Sequence, residues 1–460
     1  MTIEFDDIQG IVRFGYKRHT EACFLLLRIQ DPAAARAWLA TAPVASAATA
    51  DPPPATVLQL ALSSDGLRAL GVAEATVQGF SSEFTVGMAS DANRARRLGD
   101  AGANAPSQWQ WGMGARTPHV LLMLYALPGH LAAWQAQIEA ASAAGFVLLA
   151  CLPCADLGDA EPFGFKDGIS QPALDWDRTR PAVDAEQTTY SNLSCLGETL
   201  LGYPNEYGGY TDRPLLPPHP QLPRAEDVPE QADLGRNGSY LVLRQLEQDV
   251  AGFWQWVDAA AQHDPVARDT LAATLVGRTR DGTPLADAPP GDPNAFTYAA
   301  DPRGSRCPLG AHVRRANPRT ADLPPGEPGV IGWLTRTLGF DAPALALDRV
   351  ASTRFHRLLR RGREYRGSET GLYFVCLGAN IARQFEFVQA AWLNAPQFAG
   401  LHGETDPLVG TREPDRADFS IPQPTGPDQR ITGLPQFVTV RGGAYFFLPG
   451  IRALRYLGTA

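Results

Sequence analysis

Two continuous runs of apolar residues, each followed by a helical pattern, occupy equivalent positions in the two halves of the chain. The first run begins at Phe24 and leads into a segment with helical spacing that reaches Trp38. The second begins at Tyr240 and leads into a similar segment that reaches Trp254, so both landmarks recur after 216 residues. A short continuous apolar run is typical of a buried strand, and apolar residues three and four positions apart predict an amphipathic helix. Each segment therefore predicts a strand followed by a helix.

A second, looser pair of runs supports an internal duplication. The apolar residues 119–125 lead into a helical pattern through Ile138, and residues 372–377 lead into one through Val388. Each half thus carries at least two units in which a strand precedes a helix. This arrangement predicts a duplicated α+β domain with helices packed on one face of a sheet.

The length of the chain also indicates more than one domain. A chain of 460 residues exceeds what a single hydrophobic core usually serves. A stretch rich in Pro and Gly, at about 200–235, predicts a long loop between the halves. We therefore expect an N-terminal domain over residues 1–225 and a C-terminal domain over residues 226–460.

Composition narrows the class of protein. Hydrophobic residues make up 44% of the chain and charged residues 19%, as in ordinary globular proteins. The net charge of −9 argues against electrostatic binding of nucleic acid, and no apolar run reaches membrane-spanning length. The acidic N-terminal segment has neither the basic nor the apolar region of a signal peptide. These features predict a soluble, cytoplasmic protein.

Six cysteines are scattered along the chain, and two of them are closely spaced. Cys151 and Cys154 enclose Leu152 and Pro153, but no second pair and no following His completes a zinc site or a c-type haem attachment. A redox dithiol is one interpretation of this motif. We favour the other, two thiols at the end of an apolar strand.

One carboxylate lies in an apolar segment between two glycines. Asp167 follows Gly164 and precedes Gly168, and the neighbouring Phe163 and Phe165 predict partial burial. A buried carboxylate carries a desolvation cost unless it has a partner or a task, which makes Asp167 a candidate proton-transfer group. The simpler alternative is a turn, because Asp before Gly often bonds its own backbone.

A single histidine is followed by several cations. His312 precedes Arg314, Arg315 and Arg319 within one short segment. A lone His is more often structural than a ligand, but guanidinium groups bind anions, and a haem with two propionates fits an axial His beside arginines. The next basic segment, residues 356–365, is by itself typical of a solvated helix end.

Five motifs, in their order along the chain, resemble those of the dye-decolorising peroxidases, a family of haem enzymes. They lie at residues 6–10, 164–172, 310–314, 360–362 and 434–448. Each motif is short, but their joint order covers nearly the whole chain. The resemblance implies an α+β fold of two ferredoxin-like domains with antiparallel sheets, and a haem b cavity mainly in the C-terminal domain. It further implies the use of hydrogen peroxide to oxidise dyes and small aromatic, phenolic reductants.

The resemblance also assigns roles in catalysis. His312 is similar to the axial iron ligand, and Glu386 is the candidate acceptor for the second ring N–H of that histidine. Asp167 resembles the group that moves a proton between the two peroxide oxygens, and the low intrinsic pKa of Asp predicts activity at acid pH. Arg360 resembles the cation that stabilises the departing oxygen, with Arg361 left as the alternative.

Further residues are expected around the cofactor and at the surface. By resemblance, Arg314 and Gly168 are expected to contact the haem. Leu372 and Phe374 resemble its apolar lining, although plain core packing accounts for them as well. Tyr365 matches a surface tyrosine through which some members of the family transfer electrons.

Three alternatives to a peroxidase remain open at this point. One is a haem-binding or deferrochelatase-like protein with little peroxidase turnover. Another is a haem-free α+β binding or scaffold protein, in which His312 is only a core residue. The last is a cargo protein for an encapsulating shell. The sequence also leaves open whether the protein forms a homo-oligomer.

Overall fold

The computed structural model describes residues 3–156, 158–179, 192–319, 353–413, 416–423 and 425–459. The strands are β1 (Glu21–Ile29), β2 (Thr56–Leu62), β3 (Val120–Ala126), β4 (Phe146–Pro153), β5 (Ala173–Leu174), β6 (Leu193–Ser194), β7 (Leu215–Leu216), β8 (Ala232–Asp233), β9 (Ser239–Gln248), β10 (Leu359–Arg360), β11 (Arg363–Arg366), β12 (Thr370–Gly378), β13 (Phe419–Ile421), β14 (Gln429–Ile431) and β15 (Val438–Leu448). The α-helices are α1 (Pro32–Leu39), α2 (Ser64–Ala69), α3 (Glu74–Val77), α4 (Ser82–Val86), α5 (Ala92–Leu98), α6 (Leu131–Ser142), α7 (Val250–Ala260), α8 (Pro265–Val276), α9 (His312–Ala316) and α10 (Ile451–Thr459). A π-helical stretch comprises Ala382–Glu386 and Val388–Leu393, and short 3₁₀ turns lie at Gly10–Val12, Gly102–Asn104, Pro106–Gln108, Gly114–Arg116, Leu196–Glu198 and Phe398–Gly400.

One antiparallel sheet runs through both halves of the molecule. In the described part of the chain its order is β10-β12-β9-β15-β2-β3-β1-β4, and β11 also pairs with β12. The order β4-β1-β3-β2, with α1 and α6 between the strands, forms a ferredoxin-like βαββαβ unit. The order β15-β9-β12 followed by β10 repeats this unit in the second half. The two units meet where Phe447 of β15 pairs with Leu62 of β2.

The predicted internal repeat corresponds to equivalent elements of these units. The run at Phe24 forms β1 before α1, and the run at Tyr240 forms β9 before α7. The looser pair forms β3 before α6, and β12 before the π-helical stretch. The prediction of an α+β fold with two ferredoxin-like units is therefore confirmed, whereas the boundary between residues 225 and 226 stays a prediction.

Both faces of the central strands β1, β2 and β3 are buried, which explains why these strands have no polar alternation. On one face Leu25 and Leu122 pack with Trp38 of α1. On the other face Phe24 and Met123 pack in a second cluster, with the N-terminal segment. Burying one such side chain contributes roughly 1.5–3 kcal/mol, so a strand enclosed on both sides favours continuous apolar residues. Among the described residues, no helix has the length and apolar character that a membrane crossing requires.

The end of α8 positions the short helix α9, which carries His312. Helix α8 begins after Asp264, whose carboxylate accepts hydrogen bonds from two backbone N–H groups of the first turn. It ends at Gly277, whose φ of +93° only glycine adopts readily. A Cβ atom built on Gly277 would lie 2.4 Å from Cγ2 of Val313. The two helices therefore pack in close contact at this point.

Candidate functional site

A deep cavity lies between the C-terminal unit of the sheet and the segment 161–172. It encloses about 1910 Å³, its open mouth included. Strands β9, β12 and β15 contribute apolar side chains to one wall, such as Leu246 and Val440, and the π-helical stretch contributes Phe385. A few charged and polar groups converge on this apolar space, as in small-molecule sites generally.

His312 lines this cavity and is held by a buried carboxylate. Its Nδ1 lies 2.9 Å from Oδ2 of Asp406, whose side chain is fully buried. The other oxygen, Oδ1, accepts hydrogen bonds from the backbone N–H groups of Leu408 and Val409, both at 2.9 Å. Burial by itself raises the pKa of Asp406, but His312 and the N–H groups lower it below its ordinary value. An ionised Asp406 only accepts hydrogen bonds, so Nδ1 of His312 donates and Nε2 is left for a ligand.

The prediction that Glu386 accepts the hydrogen bond of His312 is wrong. Oε1 of Glu386 lies 2.8 Å from Nε of Arg94 and accepts a hydrogen bond of 2.9 Å from the Tyr445 hydroxyl. These contacts direct the carboxylate toward α5 and β15. Asp406 was missed because it lies in an irregular loop, where no periodicity shows that a side chain is buried.

Asp167 and Arg360 meet at the cavity although 193 residues separate them. Nη1 of Arg360 donates to Oδ1 of Asp167 over 3.2 Å. Nη2 donates to the carbonyl of Ser170 over 3.2 Å, and the backbone N–H of Arg360 donates to Oε1 of Gln171 over 2.9 Å. Both ends of Arg360 are therefore fixed to the segment that carries Asp167. Arg361 points away, because its guanidinium donates to the carbonyls of residues 11 and 12.

The electrostatic surroundings of Asp167 favour its ionised form. Burial by itself raises the pKa of this carboxyl, but the charge of Arg360, the backbone N–H of Gly168 and the nearby His312 lower it below the ordinary value. Gly168 has a φ of +75° and Gly164 one of +95°, so both lie in the left-handed region that favours glycine. Gly168 thus acts on Asp167 through its backbone and does not line the cavity itself.

The prediction that Arg314 contacts a cofactor is wrong. Its guanidinium is buried and donates to the side chain and carbonyl of Asp301 and to the carbonyl of Cys307. Arg315 and Arg319 are likewise buried against backbone carbonyls. The sequence shows that cations are clustered here but does not show that their side chains turn into the protein.

Other arginines, which the sequence did not single out, line the cavity. Arg244, Arg278 and Arg357 lie in its wall. Arg244 pairs with the buried Asp100, yet its Nε and Nη1 are buried with no hydrogen-bond acceptor among the described residues. Buried guanidinium nitrogens without an acceptor fit an anionic group on the cavity side.

Leu372 and Phe374 line the cavity, whereas Tyr365 does not. The two apolar residues project from β12 into the cavity wall. Tyr365 is only 5% exposed and stacks on Tyr373, with ring centroids 4.5 Å apart. The prediction of a surface site at Tyr365 is therefore wrong, because pairing of β11 with β12 turns the ring into the core.

The described residues fit a haem. The cavity offers His312, whose Nε2 is left for a ligand, an apolar lining for a flat macrocycle, and arginines for its carboxylates. The pair of Asp167 and Arg360 faces the same space, so a peroxide bound there would have both a base and a cation within the cavity wall.

Comparisons with known proteins agree with this site. No family model matches the chain. A multifunctional dye peroxidase from Amycolatopsis is 29% identical over 394 residues, which cover 77% of this chain and 74% of that protein. A dye-decolorizing peroxidase from Exidia glandulosa is 28% identical over 493 residues, which cover 98% of this chain and 87% of that protein.

Solved structures share the fold over the full length of both chains. A fungal DyP-type peroxidase from Auricularia auricula-judae superposes with a TM-score of 0.74 at 25% identity, covering 100% of each chain. A dye-decolorizing peroxidase in complex with 2,6-dimethoxyphenol superposes with a TM-score of 0.75 at 23% identity, again covering 100% of each chain. Sequence and fold together confirm the resemblance to the dye-decolorising peroxidases, and with it the prediction that this chain is an oxidoreductase of that type.

Proposed function

We propose that this protein uses haem b and hydrogen peroxide to oxidise dyes and small phenolic compounds. The observation that carries the proposal is the convergence on one cavity of a carboxylate-bound histidine, His312, and an arginine-bound carboxylate, Asp167. Peroxide cleavage needs both an electron-rich axial ligand and a group that moves a proton.

In this proposal His312 would bind the haem iron, and Asp406 would orient His312. Asp406 accepts the Nδ1–H of His312, which fixes the ring and raises the basicity of Nε2. A haem bound here would supply a redox-active iron. Leu372, Phe374 and Phe385 would hold its apolar ring and exclude water.

In the same proposal Asp167 would transfer the proton between the peroxide oxygens, and Arg360 would supply the positive charge that stabilises the departing oxygen. Because its pKa is lowered, Asp167 is ionised at neutral pH and ready to take a proton from one peroxide oxygen and return it to the other. Arg360 is permanently charged and is fixed by Ser170 and Gln171, so it stabilises the negative charge of the departing oxygen with little reorganisation.

The reductants are proposed from the relatives. One structural relative is complexed with 2,6-dimethoxyphenol, and the curated relatives are named for dyes. We expect this protein to accept electrons from the same two chemical classes. A cytoplasmic location stays a prediction from the sequence, and the oligomeric state stays open.

The test is steady-state oxidation of 2,6-dimethoxyphenol and of an anthraquinone dye by the haem-loaded protein. We expect Asp167→Asn to lower kcat/KM for peroxide by about 10²- to 10⁴-fold, and Arg360→Gln to lower it as well. Asp159→Asn is the matched control for the first variant, because Asp159 is an exposed carboxylate just before the segment 161–172. Arg366→Gln serves likewise for the second, since Arg366 is exposed on β11.

Two results would overturn the proposal. If the wild-type protein binds haem but peroxide only bleaches it, the haem-binding or deferrochelatase-like alternative is favoured. If both Asp167→Asn and Arg360→Gln turn over like their controls, the assigned residues do not act in catalysis.

A further inference from the structure

The closely spaced pair Cys151 and Cys154 does not form a unit in the folded protein. Cys154 packs against the core cluster on one face of the sheet, whereas Cys23 belongs to the cluster on the opposite face. Three positions separate Cys151 from Cys154 on an extended chain, so their side chains point to opposite faces. The thiol that shares a face with Cys151 is therefore Cys23, a residue that sequence spacing does not connect with it.

Strand pairing brings Cys23 and Cys151 together. On β1 and β4 the pairs are Cys23 with Pro153 and Leu25 with Cys151, which makes the two cysteines diagonal neighbours on one face. Gln135 of α6 contacts both sulfurs: its Oε1 lies 3.3 Å from Sγ of Cys23, and its Nε2 donates to Sγ of Cys151 over 3.8 Å.

The two thiols differ in access. Cys151 is exposed, whereas Cys23 is 2% exposed. The neighbouring Cys23 thiol, together with the Gln135 amide, lowers the pKa of Cys151 to about 7 in spite of burial and the nearby Glu139 carboxylate. The pKa of Cys23 is raised in turn by the neighbouring Cys151 and by burial. An accessible thiolate beside a protonated, buried thiol is the arrangement found in redox-sensing cysteine pairs.

We propose that Cys151 and Cys23 form a peroxide-reactive thiol pair that is separate from the cavity and closes into a disulfide. The Cys151 thiolate attacks one oxygen of hydrogen peroxide, so the S–O bond forms, the O–O bond breaks and hydroxide leaves. The sulfur of Cys23 then attacks the resulting sulfenic acid, so the S–S bond forms, the S–O bond breaks and water leaves with the Cys23 proton. The two thiols lose two electrons and the peroxide gains them, and a small dithiol reductant restores the reduced pair.

The sheet geometry allows this bond after a small movement. Diagonal neighbours have Cα atoms about 7–8 Å apart, and a disulfide usually spans about 4.4–6.8 Å. In the described part of the chain β4 is an edge strand that pairs with β1 alone. An edge strand held on one side can shift inward more easily than an interior strand, and the closed disulfide would tie it covalently to β1.

The test is differential alkylation and peptide mapping of the full chain after one equivalent of hydrogen peroxide, in both haem-loaded and haem-free preparations. We expect a Cys23–Cys151 disulfide in the haem-free preparation, with Cys154 still alkylated, and a smaller amount in the haem-loaded one, where the proposed peroxidase activity consumes part of the peroxide. In Cys23→Ser the reaction should stop at a Cys151 sulfenic acid that dimedone labels, and in Cys151→Ser no disulfide should form. Cys154→Ser is the matched control and should behave like the wild type.

A second measurement does not depend on oxidation. The alkylation rate of Cys151 should be half-maximal near pH 7 in the wild type, and it should move up toward about pH 8.5 in Cys23→Ala, which has no side-chain donor at this position. The proposal fails if peroxide leaves Cys151 fully alkylatable, if Cys151 bonds to Cys154 instead, or if Cys23→Ala leaves the alkylation profile unchanged. The haem-free oxidation and the alkylation profile do not depend on peroxidase turnover, so failure here is distinct from failure of the haem site.

Discussion

Replacing Asp406 by Asn tests the arrangement around His312 most directly. In the wild type one carboxylate oxygen accepts two backbone N–H groups and the other accepts the Nδ1–H of His312. An Asn side chain has one accepting oxygen, and the two N–H groups will select it. Its NH₂ group then faces Nδ1, which favours the tautomer with the proton on Nε2. That tautomer has lost the lone pair that an axial ligand needs.

The expected loss of haem affinity follows from the hydrogen bond between His312 and Asp406 that the substitution removes. Removing a partner of a metal-ligating His typically weakens metal binding by about 10- to 100-fold, which corresponds to about 1.4–2.7 kcal/mol. A hydrogen bond to a charged group contributes a similar amount, roughly 1.5–3 kcal/mol. The assay is a haemin titration followed by visible absorbance, together with the spectrum of the ferric complex.

Glu386→Gln is the control, because the sequence predicted Glu386 as the hydrogen-bond acceptor of His312, whereas the structure has Asp406 in that place. Glu386 contacts Arg94 and Tyr445, so its replacement should lower the free energy of unfolding. The fraction of the variant that is folded should still bind haem with the wild-type affinity. Thermal unfolding of each variant corrects the titrations for the fraction of folded protein. The reasoning is refuted if Asp406→Asn keeps wild-type affinity and spectrum while Glu386→Gln weakens binding by 10-fold or more.

Three further outcomes are expected. The kcat/KM for peroxide should persist into acid pH and fall as pH drops through the pKa of Asp167, which Arg360 lowers below its ordinary value although burial opposes the shift; a pH profile that falls well above pH 4 would contradict this. Phe253→Ala should lower the free energy of unfolding by about 3–5 kcal/mol, because Phe253 is fully buried, whereas the exposed Val266→Ala should change it by less than about 0.5 kcal/mol in the same denaturant titration. Gly277→Ala should destabilise the protein by at least about 1 kcal/mol, since its φ is +93° and the added Cβ would clash with α9; unchanged stability would mean that α9 can move away.

The fold was predictable to the extent that it follows from local pattern. Runs such as those at Phe24 and Tyr240 are apolar because their strands are covered on both faces, and the helices after them carry a single apolar stripe. The joining of the two units at Phe447 and Leu62 was not predictable. These residues lie far apart in the chain, and an edge-to-edge contact leaves no periodic signal in either strand.

The site was harder to predict from sequence patterns than the fold was. Local residues favoured a turn at Asp167 and a solvated helix end around Arg360, which in fact lies in β10. Only the resemblance linked these two residues, because their contact depends on the packing of segments 193 positions apart. The errors at Glu386 and Tyr365 share a cause, since the sequence identifies the element that carries a side chain better than the direction in which that side chain points.

The cations after His312 show how a correct observation led to a wrong role. Arg315 donates to the carbonyls of Trp392, Ala395 and Glu404, which flank the loop that leads to Asp406. A guanidinium that satisfies three buried carbonyls holds this loop against α9, because each carbonyl left without a donor would cost about 1–3 kcal/mol. The positive charge beside His312 therefore does not bind the carboxylates of a ligand. Arg315 instead fixes the loop that brings Asp406 to the histidine, whereas Arg314 is held by Asp301 and Cys307.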